Sequence, residues 1–523
     1  MEKVERLLER VEASKSFVQL KKAYKTEGVT VHLEEMVGGA LSLYAATLIR
    51  KVGGVHLFVA EDRDAAAYML NDFYALLDES RVLFFPTSYK KSILYHREDA
   101  QGVVQRTAVL NALRSHRKGY LVICTYPEAL AERVADEGSL SQRMLSLRVG
   151  QTIAIASLQE QLEALGFVQV DFVYEPGQFS RRGGIVDVFS YAESRPYRVD
   201  FFGDEIDSVR RFNISNQLSF ERIEQAEIIP NMNSDEAAKV SLVRFAGEMT
   251  CWAYDMNYLL RRVNDLRHRL LGEMDEPTQI DRLLTSRKSL LEDLQGSRLI
   301  VLRDTLSERV ADAVVRFSQS PQPKFNKNYE MLAQNLDDAR MKGYEAFILS
   351  ESKAQVERLG NIFYQLGYKQ TLFASLPITL REGFVDNELR MCLYTDHQIF
   401  DRYRRYRING EISRDEQMTI AELNALKMGD YVVHIDHGVG RFDGLVKINE
   451  NGKIHEAIKL VYKDGDVLFV NVHSLHRISR YKSGDGEPPK VYKLGNGAWQ
   501  KLKTATKKAV KDTRSNLLRR FIQ

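Results

Sequence analysis

Three short apolar runs near the start of the chain constrain its fold more than any other feature. The runs lie at residues 55–60, 81–85 and 120–125, and segments with helical patterning at residues 64–77 and 100–115 separate them. Strands that alternate with helices are typical of a parallel α/β sheet, because each connecting helix covers one face of the sheet. The sequence therefore predicts an α/β domain at the front of the chain.

The later segments differ in character, which predicts further domains. Residues 147–230 alternate short strands with polar turns around one helix at 158–165, whereas helical periodicity dominates residues 234–315. A second α/β stretch begins at about residue 324, and short strands return around residues 463–466, which read KDGD. That tetrapeptide predicts a hairpin turn, because glycine accepts the positive φ that such turns require. A chain of 523 residues is also too long for a single hydrophobic core.

Composition excludes several classes of protein. The formal net charge of +3 is nearly neutral for this length, so the chain as a whole has no field that demands a nucleic-acid partner. Cys124, Cys251 and Cys392 are odd in number and widely spaced, which favours buried thiols over disulfides or a zinc site. We find no secretory signal and no apolar stretch long enough to cross a bilayer, so we expect a cytoplasmic protein without a membrane partner.

The most specific motif lies in the β-rich segment. Residues 174–189 read YEPGQFSRRGGIVDVF, and residues 196–212 read PYRVDFFGDEIDSVRRF. These residues resemble the module shared by the excision-repair protein UvrB and the transcription-repair coupling factors. The resemblance implies a helicase-like α/β domain with a β-rich insertion that docks the damage sensor UvrA. It also implies that Arg182, Arg198 and Phe202 contact UvrA.

An alternative reading of these three residues stays open at this point. Arginine and phenylalanine are enriched among residues that dominate protein interfaces, since arginine offers a planar fork and phenylalanine offers area to bury. However, Phe202 could instead belong to the core, and the two arginines could pair with nearby acids such as Asp204 and Glu205. The acidic cluster of this segment has no histidine or cysteine nearby, which disfavours a metal site.

A degenerate loop near the front predicts that this chain does not hold ATP tightly. UvrB has a phosphate-binding loop that ends in lysine and a hydroxyl residue, because these complete the nucleotide and magnesium site. The corresponding residues 36–43 read MVGGALSL, in which Gly38 and Gly39 remain as a turn but lysine is absent until Lys51. We therefore expect no catalytic residue and no cofactor in this chain, and we assign ATP and Mg²⁺ to the motor of a full-length parent.

A second motif lies toward the end of the chain. Residues 429–444 read GDYVVHIDHGVGRFDG, and residues 470–481 read VNVHSLHRISRY. They resemble the RNA-polymerase-interacting domain shared by the coupling factors and the CarD regulators, a Tudor-like barrel that binds the polymerase β subunit. By position in the family, Ile448 meets the β subunit, with Leu445 and Val446 as neighbours. Strand addition at an exposed edge is a plausible mode.

Histidines cluster in the same region but do not predict a metal site. His434, His437, His473 and His476 match no standard zinc spacing, and no cysteine joins them. Another pattern, DRYRRYR at residues 401–407, fits either stacking on nucleic acid or a linker that packs its tyrosines.

Together these features predict an α/β multidomain protein with a degenerate helicase-like domain, a β-rich insertion, a second small α/β domain, a Tudor-like β-barrel and a C-terminal connector helix. The expected boundaries are 1–145 for the degenerate UvrB-like domain, 146–232 for the UvrA-docking insertion, 233–318 for the helical part of the module, 319–407 for the small α/β domain, 408–425 for a linker, 426–487 for the polymerase-interacting barrel, and 488–523 for a connector toward a translocase motor that this chain lacks.

The resemblance implies a scaffold rather than an enzyme. Such a chain would bind stalled RNA polymerase through its β subunit and recruit UvrA for transcription-coupled nucleotide excision repair, while DNA would be engaged mainly by the motor of the full-length, ATP-dependent translocase. Two alternatives are a UvrB-type damage-verification ATPase, which the missing loop lysine disfavours, and a CarD-type transcription regulator. The second is disfavoured because a regulator of that kind does not need an α/β module ahead of its barrel.

Overall fold

The structure is a computed structural model that describes residues 2–26, 28–89, 99–214, 217–232, 238–273, 279–303, 311–402, 404, 406–408, 426–434, 437–450, 453–471, 478–480 and 493. The predicted linker beyond residue 408, the connector helix, His473 and His476 lie outside these residues. The chain divides into two compact units, residues 1–146, 190–194 and 227–411 in one and residues 147–189, 195–226 and 412–523 in the other. Among the described helices, none is both long and apolar enough to cross a membrane.

The front segment alternates strands and helices as the apolar runs predict. Its helices are α1 (Glu2–Glu12), α2 (Lys15–Tyr24), α3 (Ala40–Val52), α4 (Arg63–Leu76), α5 (Ala100–Ser115), α6 (Pro127–Ala131) and α7 (Glu137–Gln142). Its strands are β1 (Thr30–Glu34), β2 (Gly54–Val59), β3 (Val82–Phe84), β4 (Tyr120–Thr125), β5 (Val134–Ala135) and β6 (Leu145–Arg148). The predictions for β2, β3, β4, α4 and α5 are confirmed.

The insertion is a six-stranded sheet with one helix. Its elements are α8 (Ile155–Ala164), β7 (Val168–Gln169), β8 (Gln178–Arg182), β9 (Ile185–Val188), β10 (Tyr197–Phe202), β11 (Glu205–Phe212) and β12 (Ser219–Ile223). The strands lie in the order β12-β11-β10-β9-β8-β7, and all neighbours are antiparallel except β7 and β8. Val186, Val199 and Val209 stand opposite one another on adjacent strands and are buried, which gives the sheet one apolar face.

The segment after the insertion corrects one prediction. We expected residues 233–318 to be helical, yet they contain strands as well as helices. The helices are α9 (Leu242–Ala246), α10 (Met256–Glu273), α11 (Ile280–Leu283) and α12 (Arg287–Asp293). The strands are β14 (Lys239–Val240), β15 (Thr250–Asp255), β16 (Arg298–Arg303) and β17 (Ala313–Arg316), and β13 (Gln225–Ile228) precedes them. Seven parallel strands form the main sheet in the order β17-β1-β16-β15-β2-β4-β3. Short apolar runs such as β15 and β16 lack the alternation of a half-buried strand, so periodicity does not distinguish them from buried helix.

A second α/β region follows in the same unit. Its elements are β18 (Gln319–Pro321), α13 (Tyr329–Met341), β19 (Glu345–Leu349), α14 (Lys353–Gln365), β20 (Ala374–Leu376), β21 (Phe384–Asp386), β22 (Met391–Thr395) and α15 (Asp396–Ile399). The sheet order is β18-β21-β22-β19-β20. Leu349, Leu376, Leu380, Phe384 and Leu393 are buried in the same apolar core as the front sheet. This region and the front sheet therefore share one hydrophobic core, and a mixed α/β protein with several sheets is confirmed.

The C-terminal region is a five-stranded antiparallel sheet. Its strands are β23 (Tyr431–His434), β24 (Gly438–Glu450), β25 (Lys453–Val461), β26 (Val467–Asn471) and β27 (Ile478–Arg480), in the order β26-β25-β24-β23-β27. The predicted hairpin turn joins β25 to β26, and both Asp464 and Gly465 adopt positive φ there. Closure of this sheet into a Tudor-like barrel stays a prediction.

Candidate partner-binding sites

Two of the predicted UvrA-contacting residues converge on one buried carboxylate. Arg198 on β10 stands directly opposite Asp187 on β9, so both side chains lie on the same face of the insertion. Arg198 donates from Nε and Nη2 to the two carboxylate oxygens of Asp187, at 2.7 and 2.9 Å. Arg182, at the end of β8, donates to the same carboxylate. Asp187 is completely buried, and its hydrogen bond raises the pKa of the Arg198 guanidinium.

Aromatic rings hold both guanidinium groups from a second side. The Arg198 guanidinium lies 4.5 Å from the centre of the Phe212 ring, and the Arg182 guanidinium lies 4.7 Å from that of Phe172. Arg198 also donates to the backbone carbonyl of Gln217 at 3.0 Å. The side chain of Arg182 remains 35% exposed and that of Arg198 14%. Their charges are therefore fixed in place while part of each remains accessible to a partner.

The sequence left open whether the two arginines pair with nearby acids, and they do, although with a different acid from those named. Both arginines form ion pairs, yet the partner is Asp187 rather than Asp204 or Glu205. The sequence already contained the signal, because Asp187 interrupts the apolar residues Val186 and Val188 in a strand that should be buried. A contact of either arginine with UvrA stays a prediction.

Phe202 is not a core residue. It ends β10 at the turn to β11, opposite Glu205, and 84% of its surface is exposed. An isolated exposed apolar residue is unremarkable in a folded protein, but this one lies on the strand that carries Arg198, four residues further along. The register of β10 with β11 shifts between Asp200 and Phe201, just before Phe202. The structure thus brings Arg182 and Arg198 together at Asp187 and places Phe202 at the exposed end of the strand that carries Arg198.

Two further arginines, which the sequence did not single out, extend this face. Arg210 on β11 stands opposite Arg198, and Arg222 on β12 stands opposite Arg210. Arg210 pairs with Asp200, which also accepts from Ser208 at 2.7 Å. Arg198, Arg210 and Arg222 form a row across three strands, here called the arginine row. The predicted absence of a metal at the acidic cluster is not tested, although the described residues contain no group of three or more side chains placed to hold one.

The predicted polymerase-contacting residues lie on an open stretch of β24. β23 pairs with β24 only from Gly438 to Arg441, and the segment before β23 adds backbone bonds to Phe442. Beyond that point, on the side away from β25, β24 has no neighbouring strand among the described residues. Leu445 is exposed there, and Val446 and Ile448 are half-buried. Main-chain groups along this edge are therefore positioned to accept another strand.

The loop with Gly38 and Gly39 lies where the sequence motif predicts, between the end of β1 and the start of α3. Strand, glycine-rich turn and helix is the arrangement of a phosphate-binding loop. Here, however, the amide of Gly39 donates to the backbone carbonyl of Glu382 at 2.9 Å. The loop that would cradle a phosphate is thus in direct contact with the second α/β region.

Two family models match segments of the chain that contain the candidate residues. The UvrB interaction domain family matches residues 145–233, and the CarD-like/TRCF RID domain family matches residues 426–482. The chain as a whole is 24% identical to the transcription-repair-coupling factor of Escherichia coli and 21% identical to that of Bacillus subtilis, each over 94% of this chain. It is similar to the transcription-repair-coupling factors over most of its length. The coupling factor of Haemophilus influenzae is 25% identical over 80% of this chain.

The chain spans about half the length of these coupling factors, with 48% of the Escherichia coli and Bacillus subtilis proteins covered. Both matched domains contain the residues that the motifs singled out. Arg182, Arg198 and Phe202 lie in the UvrB interaction domain, and Leu445 and Ile448 lie in the CarD-like domain. Both matched segments therefore contain candidate binding residues, and the UvrB interaction domain match precedes the CarD-like match along the chain.

Proposed function

We propose that this chain provides the recruiting surfaces of a transcription-repair coupling factor. Its insertion docks UvrA, and its C-terminal sheet binds the β subunit of stalled RNA polymerase, so that repair is directed to the site of the stall. The observation that carries the proposal is an exposed phenylalanine, Phe202, on the same strand as Arg198, whose guanidinium is held with that of Arg182 by buried Asp187.

The insertion has the chemistry of an interface for an acidic partner. Like charges on adjacent strands repel one another. The arginine row therefore destabilises the isolated sheet except where acids neutralise its charges. Asp187 and Asp200 face Arg198 and Arg210, whereas Arg222 lies exposed at the outer strand. Because the guanidinium groups of Arg182 and Arg198 are already ordered, binding loses little further side-chain entropy. Phe202 adds apolar area that a partner can bury.

Strand addition explains how the C-terminal sheet could bind the polymerase. A strand of the β subunit would pair with the open edge of β24, where backbone groups supply affinity. Leu445, Val446 and Ile448 would then supply specificity through their side chains. We place the contact at Ile448 because it lies on the part of β24 that only β25 accompanies among the described residues.

We further propose that ATP hydrolysis and movement along DNA belong to a motor outside these 523 residues. The Gly38–Gly39 loop has no lysine to bind phosphates, and its Gly39 amide is engaged by Glu382. The chain would therefore act as a scaffold, while ATP and Mg²⁺ serve the full-length translocase. A UvrB-type ATPase is disfavoured by the same two observations.

A crossed binding experiment tests the two surfaces together. Phe202→Ala and Ile448→Ala are each titrated, in the full chain, against purified UvrA and against RNA polymerase. We expect Phe202→Ala to weaken UvrA binding at least about 30-fold and to leave polymerase binding unchanged, since interface residues of this type cost about 2 kcal/mol or more on truncation. Ile448→Ala should do the reverse. Each variant is thus the control for the other, and loss of both partners by one variant would contradict separate surfaces.

A further inference from the structure

We propose that the Gly38–Gly39 loop binds a segment of its own chain, residues 380–383, in place of a nucleotide. The loop would thereby fix the second α/β region on the front sheet, together with the segment that leads toward the C-terminal sheet. The contact lies within the front unit alone and involves neither proposed partner.

The loop amide that would contact a phosphate instead donates a hydrogen bond to a backbone carbonyl. Amides at the start of a helix attract oxygen atoms that carry negative charge, because these amides lack partners within the helix and lie at the positive end of its dipole. Gly39 immediately precedes α3, a helix of 13 residues, and its amide donates to the oxygen of Glu382 at 2.9 Å. A carbonyl oxygen thus takes the bond that a phosphate oxygen receives in a nucleotide-binding protein.

The contact is too close to admit anything larger than glycine. A Cβ atom on Gly39 would lie 2.7 Å from the Glu382 oxygen and 2.9 Å from the Leu380 side chain. A Cβ atom on Gly38 would lie 2.9 Å from the Gly383 oxygen. The φ of Gly39 is −73°, which any residue adopts, so glycine is required there by space rather than by backbone conformation.

The segment is also held from its own side, so it presents its carbonyls in a fixed position. The amide of Gly383 donates to the Gln398 side chain at 2.7 Å, and the Gly383 carbonyl accepts from the Gln322 amide at 3.1 Å. Leu380 is completely buried in the core shared with the front sheet. Residues 380–383 are therefore preorganised for the loop.

A buried ion pair reinforces the contact one turn further along α3. The carboxylate of Asp72 on α4 accepts from the Ser42 hydroxyl at 3.0 Å, from the Arg381 amide at 2.7 Å and from the Arg404 guanidinium at 2.7 Å. Asp72 is buried and Arg404 nearly so. In a phosphate-binding loop a hydroxyl at the start of the helix binds Mg²⁺. Here the first-turn hydroxyl of Ser42 instead donates to an internal carboxylate that a guanidinium balances.

Residues 404 and 406–408 continue the contact along α4. Asn71 exchanges two hydrogen bonds with the backbone of Arg407, at 2.6 and 2.9 Å, and the Tyr68 hydroxyl donates to the Arg404 carbonyl at 3.0 Å. The ring of Tyr406 contacts that of Tyr68 edge-on. Of the two interpretations of the DRYRRYR pattern, the described part favours a segment that packs its tyrosine. Hydrogen bonds and a shared core thus join the front sheet, the second region and this segment.

Hydrogen–deuterium exchange of the full chain tests the proposal, with and without Mg-ATP. Gly39→Ala should speed exchange at least about tenfold in residues 380–386 and 404–408, because local opening frees the amides of Arg381 and Gly383. Gly360→Ala is the matched control, since Gly360 lies within α14 with open space around its Cα. It should leave these segments unchanged, and Mg-ATP should alter neither segment in the parent chain.

Each outcome decides the matter. Unchanged exchange in Gly39→Ala would overturn the proposal, and so would a change at residues 36–43 of the parent on addition of Mg-ATP. Gly39→Ala could instead speed hydrogen exchange throughout the unit. In that case Arg404→Met tests the proposal, because it removes the guanidinium and keeps an apolar stem. Faster exchange of residues 380–386 in that variant supports the proposal, whereas unchanged exchange there contradicts it.

Discussion

Replacement of Arg198 with methionine should destabilise the insertion by about 3 kcal/mol. The change removes the two hydrogen bonds to Asp187, at 2.7 and 2.9 Å, and leaves a completely buried carboxylate with Arg182 alone. Removal of one partner from a buried ion pair costs roughly 3–5 kcal/mol. The lower end applies because Arg182 still pairs with the carboxylate.

Arg210→Met provides a control matched in residue type and position. Arg210 stands opposite Arg198 on the adjacent strand, but its side chain is 37% exposed and its partner Asp200 is also accessible to water. An exposed pair of this kind contributes roughly 0–1 kcal/mol. The two variants remove the same charge from the same face, so a difference between them reports the burial of Asp187.

Hydrogen exchange within the full chain measures the loss where it occurs. Amides of Val186 and Val199, in the centre of the insertion sheet, should exchange on the order of 100-fold faster in Arg198→Met and less than about fivefold faster in Arg210→Met. If Arg198→Met protects these amides as well as the parent does, Asp187 does not depend on Arg198 and the reasoning is wrong. The same data separate direct from indirect effects on UvrA binding, since Phe202→Ala should weaken binding without any change in protection.

Two more predictions concern the buried sites elsewhere. Burial lowers the pKa of His56 to about 4, and its ring accepts a hydrogen bond from Trp252 and bonds to the Gly53 carbonyl. The unfolded state therefore binds a proton at His56 more readily than the folded state does. The stabilisation from neutral His56 is full above pH 6.5, and the free energy of unfolding should fall by about 3 kcal/mol as the pH drops to 4. Urea unfolding followed by the fluorescence of Trp252, in a Trp499→Phe background, should show a smaller fall in His56→Gln, and an equal fall would exclude His56 as the cause. Gly440→Ala should destabilise the C-terminal sheet by about 1–3 kcal/mol, because its Cβ would lie 3.0 Å from the ring of Tyr462; thermal unfolding that matches the parent would mean that the ring moves aside freely.

The sequence predicted elements well where local patterning decides the structure. The runs that became β2 and β4, and the KDGD turn at Asp464 and Gly465, follow from residues close in sequence. β15 and β16 were missed because their role depends on insertion between β1 and β2, which only the three-dimensional sheet order shows. A short buried run supports either structure, and tertiary context decides between them.

The candidate site was also predicted only in part, because the motif indicates residues but not their partners on other strands. The motif singled out Arg182, Arg198 and Phe202, but the acid that holds the arginines lies on another strand, and strand register cannot be read from the spacing of charges. The contact between Gly39 and Glu382 joins residues more than 300 positions apart, so no local pattern reveals it. The absence of the loop lysine predicts the loss of a nucleotide function, whereas the segment that contacts Gly39 is seen only in the fold.

The strand order of the main sheet also has a consequence for synthesis on the ribosome. β1 and β2 adjoin in the sequence, but they are separated in the sheet by β15 and β16, which are translated much later. At about 5–20 residues per second, the roughly 180 residues from the end of β4 to the end of β16 take roughly 10–40 s to emerge. The insertion needs only residues between Ile155 and Ile223 for its own strands. All six strands of the insertion sheet are therefore translated before β15 and β16, the central strands of the main sheet.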